Sequence, residues 1–293
     1  MNRLLSNMLF VPASDQRKLD KIAGLHAAAY ILDLEDAVAV SAKAEARARA
    51  AACVGQLGAT KDLYVRINAM ETSYWEEDLR AMALPGLIGI NLPKVSAAGQ
   101  VEEIHARLLA LERDRDLPQG GIELMTTMET VAGIRNLDAI AAAPRVRCLC
   151  FGAGDFSLDI GLDWPPPSGR LAATVVAAKV ALVMASRAHG LPPPHDGVFP
   201  NFRDSEGLRV EAEEARALGF FGKHAIHPDQ LPIIDAVFRP SPARISQARA
   251  IVDAFEQSEA AGRANIHIEG QFIDYPVVAR ARQVLALADE QAE

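Results

Sequence analysis

Cysteine is scarce in this sequence, which has three cysteines, Cys53, Cys148 and Cys150, among 293 residues. So few cysteines cannot form a disulfide framework in a chain of this length. Cys148 and Cys150 alternate with Leu149 inside an apolar run, which is typical of two buried thiols on one strand face rather than of a redox pair. We therefore expect an apolar core, not covalent cross-links, to hold the fold together.

The sequence also lacks an excess of positive charge and any long apolar run. Lys and Arg total 30 against 38 Asp and Glu, a net charge of −8. This balance argues against broad nucleic-acid binding, which requires a basic surface. No segment approaches the roughly 18 uninterrupted apolar residues of a membrane span, and the N-terminal residues MNRLL lack the apolar stretch of a signal peptide. We expect a cytoplasmic protein without a membrane partner.

Short apolar runs alternate with alanine-rich helical patterns along most of the chain. The predicted strands are 8–11, 29–33, 63–67, 87–91, 121–125, 146–151, 196–199 and 219–222. The clearest predicted helices are 41–57, 97–113, 130–142, 170–189 and 204–218. Strand centres recur about every 30 residues, and eight such units need roughly 250 residues to close a barrel. The sequence therefore predicts an α/β fold, a (β/α)8 TIM barrel, with a doubly wound open sheet as the alternative.

The pattern changes after Pro240. Residues 241–262 have a helical pattern, 263–275 are extended or looped, and 276–290 form a last helix. This tail exceeds what eight units need, so we expect a lid or an oligomer contact. The predicted division is a catalytic barrel at 1–235 and a C-terminal helical extension and lid at 236–293.

Charged residues follow predicted strands two, three and four. Asp33, Glu35 and Asp36 come at the end of a buried run, and such acids repel one another unless a cation is near. Arg66 alternates with apolar neighbours and needs an anionic partner. It either binds a carboxylate of a ligand or pairs with the acids of strand two. Lys94 either contacts a ligand or balances these charges, and a Schiff-base role is the weakest alternative.

Two further carboxylates follow predicted strands five and six. Glu129 lies four residues beyond Met125, and Asp155 lies four beyond Phe151, so we expect them at equivalent heights on neighbouring strands. Two carboxylates together with water and substrate oxygens are how proteins usually hold Mg²⁺. The alternative is that one acid opens a helix and the other caps one.

Two histidines and one acid near the end of the pattern remain. His224 and His227 do not have the spacing of a zinc-protease pair, and His227 is expected in a loop that organises the barrel mouth. Composition alone predicts no more than a helix N-cap for Asp274.

These residues belong to eight short motifs that fall in order along the chain. They are Leu9-Phe10-Val11-Pro12, Asp33-Leu34-Glu35-Asp36-Ala37-Val38, Arg66-Ile67-Asn68, Leu92-Pro93-Lys94, Glu129-Thr130-x-x-Gly133, Phe151-Gly152-x-x-Asp155, Gly222-Lys223-x-x-Ile226-His227-Pro228 and Ile273-Asp274-x-Pro276. Together they resemble the citrate lyase beta-subunit-like enzymes of the HpcH/HpaI aldolase superfamily, from about residue 8 to 290. One departure is Ala13, which follows Pro12 where the family usually has Gly.

The resemblance implies a (β/α)8 barrel that cleaves or forms 3-hydroxyacyl-CoA thioesters with Mg²⁺, commonly as a trimer or larger homo-oligomer. It implies that Glu129 and Asp155 are metal ligands and that Glu129 also belongs to the substrate-binding site. It further implies that Arg66 binds the keto-acid end, and that Asp274 is the acid/base group on a segment closing over a neighbouring subunit's site.

Five residues receive weaker assignments. We expect Glu35 and Asp36 to order a water or the Arg66 side chain. CoA phosphates need cations near the mouth of the barrel, and Arg17, with Lys18 and Lys21, is a candidate for this contact.

The leading functional hypothesis is a Mg²⁺-dependent acyl-CoA lyase that splits citramalyl-, malyl- or citryl-CoA into acetyl-CoA and a 2-oxo acid. A second hypothesis is thioester hydrolysis, as in a malyl-CoA thioesterase or malate synthase. An aldolase for free 4-hydroxy-2-oxo acids is disfavoured by the lid that Asp274 indicates. A non-catalytic CoA-ester-binding subunit of a citrate lyase-like complex is the remaining alternative.

Overall fold

The computed structural model describes residues 5–166, 171–260, 262, 265–268 and 270–290. Chain contacts divide it into two compact units, one from Leu5 to Ile234 and one that contains the chain from Asp235 onward. Residue 170, the first of the predicted helix 170–189, lies outside the described residues.

Strands and helices alternate through the first unit, and a small hairpin lies between the last two helices. The strands are β1 (Asn7–Pro12), β2 (Ala29–Asp33), β3 (Leu63–Arg66), β4 (Leu87–Leu92), β5 (Glu123–Met128), β6 (Val146–Phe151), β7 (Lys223–Ala225), β8 (Ile266–Ile268) and β9 (Gln271–Ile273). The helices are α1 (Gln16–Lys21), α2 (Lys43–Leu57), α3 (Trp75–Met82), α4 (Ala98–Asp114), α5 (Val131–Arg135), α6 (Leu137–Ala141), α7 (Ala153–Asp159), α8 (Ala173–Ala188), α9 (Ser205–Leu218), α10 (Leu231–Phe238), α11 (Pro242–Ala260) and α12 (Tyr275–Glu290).

Seven parallel strands form one sheet in the order β6-β5-β4-β3-β2-β1-β7. Two residues connect its edges, because His195 forms a parallel bridge with Cys150 of β6 and Asp196 forms one with Lys223 of β7. The described fold is thus an α/β fold with a curled parallel sheet, and its carboxyl strand ends lie on one side, where ligands bind in such folds.

Three predicted strands differ from the structure. The predicted strand at 196–199 is reduced to the bridge at His195–Asp196, and the predicted strand at 219–222 is a turn that precedes β7. Gly219 and Gly222 have φ angles of 110° and 118°, which extended strands do not use. The predicted strand at 121–125 begins two residues later and continues to Met128, after a turn at Gly120 with φ 79°.

The interior of the sheet contains an apolar cluster contributed by five strands and by Leu5, which precedes β1. Its members are Leu5, Met8, Ala29, Ile31, Tyr64, Met125, Cys148 and Cys150. Both strand thiols are buried here and unbridged, which confirms the interpretation of Cys148 and Cys150 as buried thiols on one face. Burial of about eight such side chains on one side of the sheet supplies much of the folding free energy of this unit.

Between the sheet and its covering helices lies a buried chain of charges. Asp196 accepts from Lys179 of α8 at 2.7 Å and from Lys223 of β7 at 2.6 Å, and Lys223 also reaches Glu211 of α9 at 2.6 Å. Burial would raise the pKa of Asp196, but the two lysines lower it. This ion network joins the Asp196 bridge to two helices and one strand.

The second unit contains α11 and α12 with the antiparallel hairpin β8-β9. Its own core consists of Ala248, Val252, Phe255, Ile273, Val278, Ala281 and Val284. A C-terminal helical extension is therefore present, as predicted. None of the described helices is long and apolar enough to cross a membrane.

We predict that Lys223→Met lowers the free energy of unfolding by about 3 kcal/mol, because it leaves buried carboxylate charge without its partner. Urea unfolding followed by circular dichroism measures this change. Arg209→Ala is the matched control, since its ion pairs with Glu206 and Glu213 on α9 are exposed and contribute little. Equal unfolding midpoints for the two variants would contradict the prediction.

Candidate functional site

A cavity of about 730 Å³ opens at the carboxyl ends of the strands of the first unit. One part of its wall carries charged groups that follow consecutive strands, namely Asp33, Asp36, Arg66, Glu129 and Asp155. Another part carries Lys18, Lys21, Leu25, Phe10 and His224, from around β1 and from β7. Several of the polar residues singled out in the sequence, including Asp33, Arg66, Glu129 and Asp155, thus line one cavity.

Asp33 and Arg66 form a two-point ion pair across β2 and β3. Arg66 donates from Nε to Oδ1 and from Nη2 to Oδ2, both at 2.7 Å. Asp33 also accepts the backbone N–H groups of Glu35 at 3.0 Å and Ala37 at 3.2 Å. Burial would raise the pKa of Asp33, but the charge and hydrogen bonds of Arg66 outweigh it and the pKa is lowered.

Of the two roles that the sequence left open for Arg66, the structural pair with strand two is present. The guanidinium carbon lies 4.8 Å from the centre of the Phe10 ring, a cation–π contact that fixes its plane. Nη1 lies 3.3 Å from Glu35 Oε2. Arg66 also lines the cavity. Its Nε and Nη2 donate to Asp33, whereas Nη1 does not.

Glu35, Asp36 and Lys94 form a second layer of charge beside this pair. Lys94 Nζ lies 2.8 Å from Glu35, 3.5 Å from Asp36 and 3.7 Å from Asp155. Burial raises the pKa of Glu35 despite the nearby cations. All three residues of this layer also face a second cavity of about 620 Å³. Lys94 therefore balances charge between strands two, four and six.

Glu129 directly follows β5, and Asp155 lies in the first turn of α7. The predicted equivalence of their heights is wrong, because β5 runs to Met128, which pairs with Phe151 of β6. Glu129 Oε1 accepts the backbone N–H of Lys94 at 2.9 Å, and Lys94 has a φ of 53°. Burial, then the charges of Asp155 and Glu35, raise the pKa of Glu129 to about 8.

Gly152 forms the floor beneath the Glu129 carboxylate. A Cβ atom at this position would lie 2.1 Å from Glu129 Oε2, far inside van der Waals contact. The glycine therefore allows the carboxylate to lie against the backbone that leads from β6 into α7.

The donor set suits a small hard cation. Two carboxylates, Glu129 and Asp155, face one cavity, and the charge of Asp155 disfavours ionisation of Glu129 unless positive charge is supplied. Among the described residues, no three His, Cys, Asp or Glu side chains are grouped as a self-sufficient metal site. Mg²⁺ fits such a pair, since it commonly takes one or two carboxylates and completes its shell with water or substrate oxygens.

The structure also describes Arg17, Asp274 and His227. Arg17 has a side chain 90% exposed, 3.6 Å from Asp15, and is not part of the cavity wall, whereas Lys18 and Lys21 are. Asp274 lies in the second unit at the start of α12, where its carboxylate accepts the Val277 N–H at 3.4 Å. His227 is in the loop after β7, lines the cavity and stacks on Phe202 at 4.7 Å.

Sequence reasoning missed two buried residues. Lys43 at the start of α2 donates from Nζ to the backbone oxygens of Leu34 and Glu35, at 2.8 and 2.7 Å, and so holds the acidic loop in place. His224 lies in the cavity wall, 3% exposed. The alternation in Lys223-His224-Ala225 is the only sequence signal that could have placed its ring inside the sheet.

A family model described as HpcH/HpaI aldolase/citrate lyase matches residues 6–228. The chain belongs to this family. The resemblance inferred from the sequence motifs is thereby confirmed.

Three relatives extend over nearly the whole chain. A (3S)-malyl-CoA thioesterase of Cereibacter sphaeroides is 39% identical over 97% of this chain and 94% of its own. An L-malyl-CoA/beta-methylmalyl-CoA lyase of the same species is 33% identical over 96% of this chain and 93% of its own. The crystal structure of protein CitE from Mycobacterium tuberculosis, in complex with magnesium, acetoacetate and coenzyme A, superposes with a TM-score of 0.79 at 30% identity, covering 99% and 100% of the two chains.

We predict that Asp33→Asn lowers the free energy of unfolding at pH 7 by about 3 kcal/mol, because it leaves Arg66 buried without its partner. The folded state lowers the pKa of Asp33, so its stabilisation is present above the unfolded value of about 3.9 and is lost as pH falls through the lower folded value. The gap between wild type and variant should therefore close in acid.

Urea titrations from pH 7 to pH 2.5 measure this gap. Asp114→Asn, which removes an exposed carboxylate of α4, is the control and should show a small difference throughout. A gap for Asp33→Asn that widens in acid would contradict the assignment.

Proposed function

We propose that this chain is a Mg²⁺-dependent carbon–carbon lyase that cleaves a 3-hydroxyacyl-CoA into acetyl-CoA and a 2-oxo acid. The observation that carries the proposal is the buried carboxylate of Glu129, which faces the cavity beside Asp155 with a pKa raised to about 8. Such a pair favours a cation. Acyl groups of the malyl-CoA type are the substrates we propose, because a lyase and a thioesterase for malyl-CoA are among the relatives.

Glu129 and Asp155 would hold the ion. When bound, Mg²⁺ would lower the pKa of the substrate hydroxyl and neutralise the adjacent carboxylate. Loss of the hydroxyl proton forms the oxo group, and the electron pair of the breaking carbon–carbon bond passes to the thioester as an enolate. A proton then added to the enolate carbon gives acetyl-CoA, so atoms and charge balance.

Arg66 and Lys94 supply fixed positive charge for these steps. Arg66 Nη1 would contact a substrate carboxylate or developing negative charge, because Asp33 occupies Nε and Nη2 while the contacts of Nη1 with Glu35 and Asp36 are longer, at 3.3 and 3.8 Å. Glu35, held by Lys94 at 2.8 Å, and Asp36 would orient Arg66 or a water. The preorganised ion pairs mean that little rearrangement is needed during the reaction.

Asp274 is our candidate for the acid/base group at the enolate carbon. It begins α12 directly after β9, with Phe272 and Tyr275 exposed on either side of it. We infer that the extension from about 236 to 293 acts as a lid on the site of a neighbouring subunit in a homo-oligomer, a trimer or larger. Lys18 and Lys21 would meet CoA phosphates from the cavity wall, with Arg17 further out.

We also infer that β1 to β7 and the segment His195–Asp196 together make the eight strands of a (β/α)8 barrel, within a catalytic domain spanning 1–235. The supporting observation is the pair of bridges that join this segment to β6 and β7.

Thioester hydrolysis is the second candidate function. A specific observation favours it, since the thioesterase relative is 39% identical and the lyase relative 33%. Both reactions use the same bound thioester and differ in whether water reaches its carbonyl carbon.

The test is to incubate purified protein with acetyl-CoA and, separately, glyoxylate, pyruvate or oxaloacetate, with Mg²⁺ or with EDTA, and to identify every CoA species by mass spectrometry. We expect a hydroxyacyl-CoA that forms only with Mg²⁺. Free CoA together with a hydroxy acid would move the assignment to hydrolysis or synthesis. No change in any CoA ester, with CoA binding retained, would favour a non-catalytic subunit.

We predict that Gly152→Ala weakens Mg²⁺ binding by about ten- to a hundredfold, the range for disturbed support of a ligand, because its Cβ displaces the Glu129 carboxylate. Isothermal titration with MgCl₂ measures the affinity. Gly99→Ala on α4 is the control, since a Cβ there meets nothing within 4 Å. Unchanged affinity in Gly152→Ala would remove Glu129 from the metal site.

A further inference from the structure

His224 occupies an unusual position in the wall of the main cavity. It lies on β7 opposite Met8 of β1, is 3% exposed, and contributes to the cavity lining. Its ring meets Phe10 edge to face, with centroids 5.3 Å apart at 81°. The face of the same Phe10 ring carries Arg66 at 4.8 Å. His224 and Arg66 are therefore two nitrogen donors positioned by one aromatic ring.

The imidazole of His224 is a buried polar group with an unpaired nitrogen. Its Nε2 has no hydrogen-bond partner among the described residues. Leaving such a group unpaired is unfavourable, so a ligand partner would explain why a polar ring is present at this position. Burial lowers the pKa of His224 well below its ordinary value, so the ring is neutral near pH 7 and has one N–H to donate.

His195 shows what a structural histidine looks like in the same sheet. It lies 5.7 Å from His224 between ring centroids and is 4% exposed. Its Nδ1 also has no hydrogen-bond partner among the described residues, but the ring hydrogen-bonds to the backbone of Leu5 and is not part of the cavity wall. Of these two neighbouring buried imidazoles, that of His224 is the one that lines the cavity.

The strand order locates His224 on the cationic side of the cavity. β7 is next to β1, whose following segment carries Lys18 and Lys21, whereas Glu129 and Asp155 follow β5 and β6. A CoA ester with its phosphates at the lysines and its acyl carboxylate at the acidic pair would pass its thioester between these groups, beside Phe10, Arg66 and His224.

We propose that His224 binds the substrate by donating a hydrogen bond from its imidazole to the thioester carbonyl oxygen. This proposal rests on the proposed function. The bond strengthens as that oxygen gains negative charge, in the enolate that cleavage releases or in the tetrahedral species of hydrolysis. His224 is then a second donor beside Arg66 Nη1, and no proton transfer from the ring is required.

The test compares His224→Leu, which keeps an apolar side chain of similar volume, with His224→Gln, which restores a donor. For His224→Leu we expect kcat to fall on the order of a hundredfold, the effect of losing one oxyanion donor, with a smaller rise in KM, because the bond is weaker before the oxygen gains charge. The thermal unfolding midpoint should stay equal or rise, because an unpaired buried nitrogen is removed. His224→Gln should recover most of the lost kcat.

His195→Leu is the matched control. We expect a lower unfolding midpoint, because the Leu5 backbone loses its partner, and a kcat close to wild type. If His224→Leu also lowers the midpoint, and if Gln fails to restore kcat, His224 is structural and the proposal is overturned. A kcat of His224→Leu equal to wild type overturns it as well, while leaving the lyase assignment intact.

Calorimetric titration with acetyl-CoA separates this proposal from the proposed function. If the wild type binds acetyl-CoA but cleaves no thioester, the lyase assignment fails. The role of His224 would still be supported if His224→Leu bound acetyl-CoA more weakly and His224→Gln restored the affinity. The proposal for His224 would be overturned if the wild type and His224→Leu then bound acetyl-CoA with equal affinity, or if the wild type did not bind acetyl-CoA.

Discussion

The ion pair between Asp33 and Arg66 determines how the charged wall of the cavity is arranged. The two residues are paired in register on β2 and β3, so the bond closes at the edge where both strands end. A buried guanidinium cannot lose its proton, and it therefore needs a buried carboxylate to remain in place. Asp33 meets this need with both oxygens, and Phe10 supports the guanidinium plane from below. The acidic loop after β2 is then tied to the same centre through Glu35.

The charges around this ion pair do not balance. Three cationic side chains, those of Arg66, Lys94 and Lys43, lie among five carboxylates, those of Asp33, Glu35, Asp36, Glu129 and Asp155. Burial raises the pKa values of Glu35 and Glu129, and the charge of Asp155 raises that of Glu129 further, whereas Arg66 lowers the pKa of Asp33. Asp33 is thus satisfied by Arg66, while Glu129 faces the cavity beside Asp155 with its pKa raised. A divalent cation at that place would restore neutrality more completely than any side chain in reach.

The sequence predicts the buried strands of this fold well, but it predicts poorly the polar segment His195–Asp196 that connects the two edges of the sheet. The predicted bounds of β2 and β6 equal the observed ones, because parallel strands covered on both faces are continuous apolar runs. The segment at His195–Asp196 has no such run, since Asp196 is buried by virtue of two lysines from distant elements. The acids and Arg66 were found because charge directly follows an apolar run. Their pairing depends on register, and a shift of β5 by a few residues changed the predicted height of Glu129.

Side chains that decide between related reactions are even harder to recognise from the sequence. The charge cluster can hold a thioester and an oxo acid for either cleavage or hydrolysis, so the outcome depends on whether water reaches the thioester carbon. Water access is a property of walls such as Phe10 and Trp164 and of any lid, none of which needs a fixed motif. His224 belongs to this class. An unpaired imidazole in an apolar sheet interior reduces stability, and its retention is easiest to understand if the oxygen of a bound thioester supplies the missing partner.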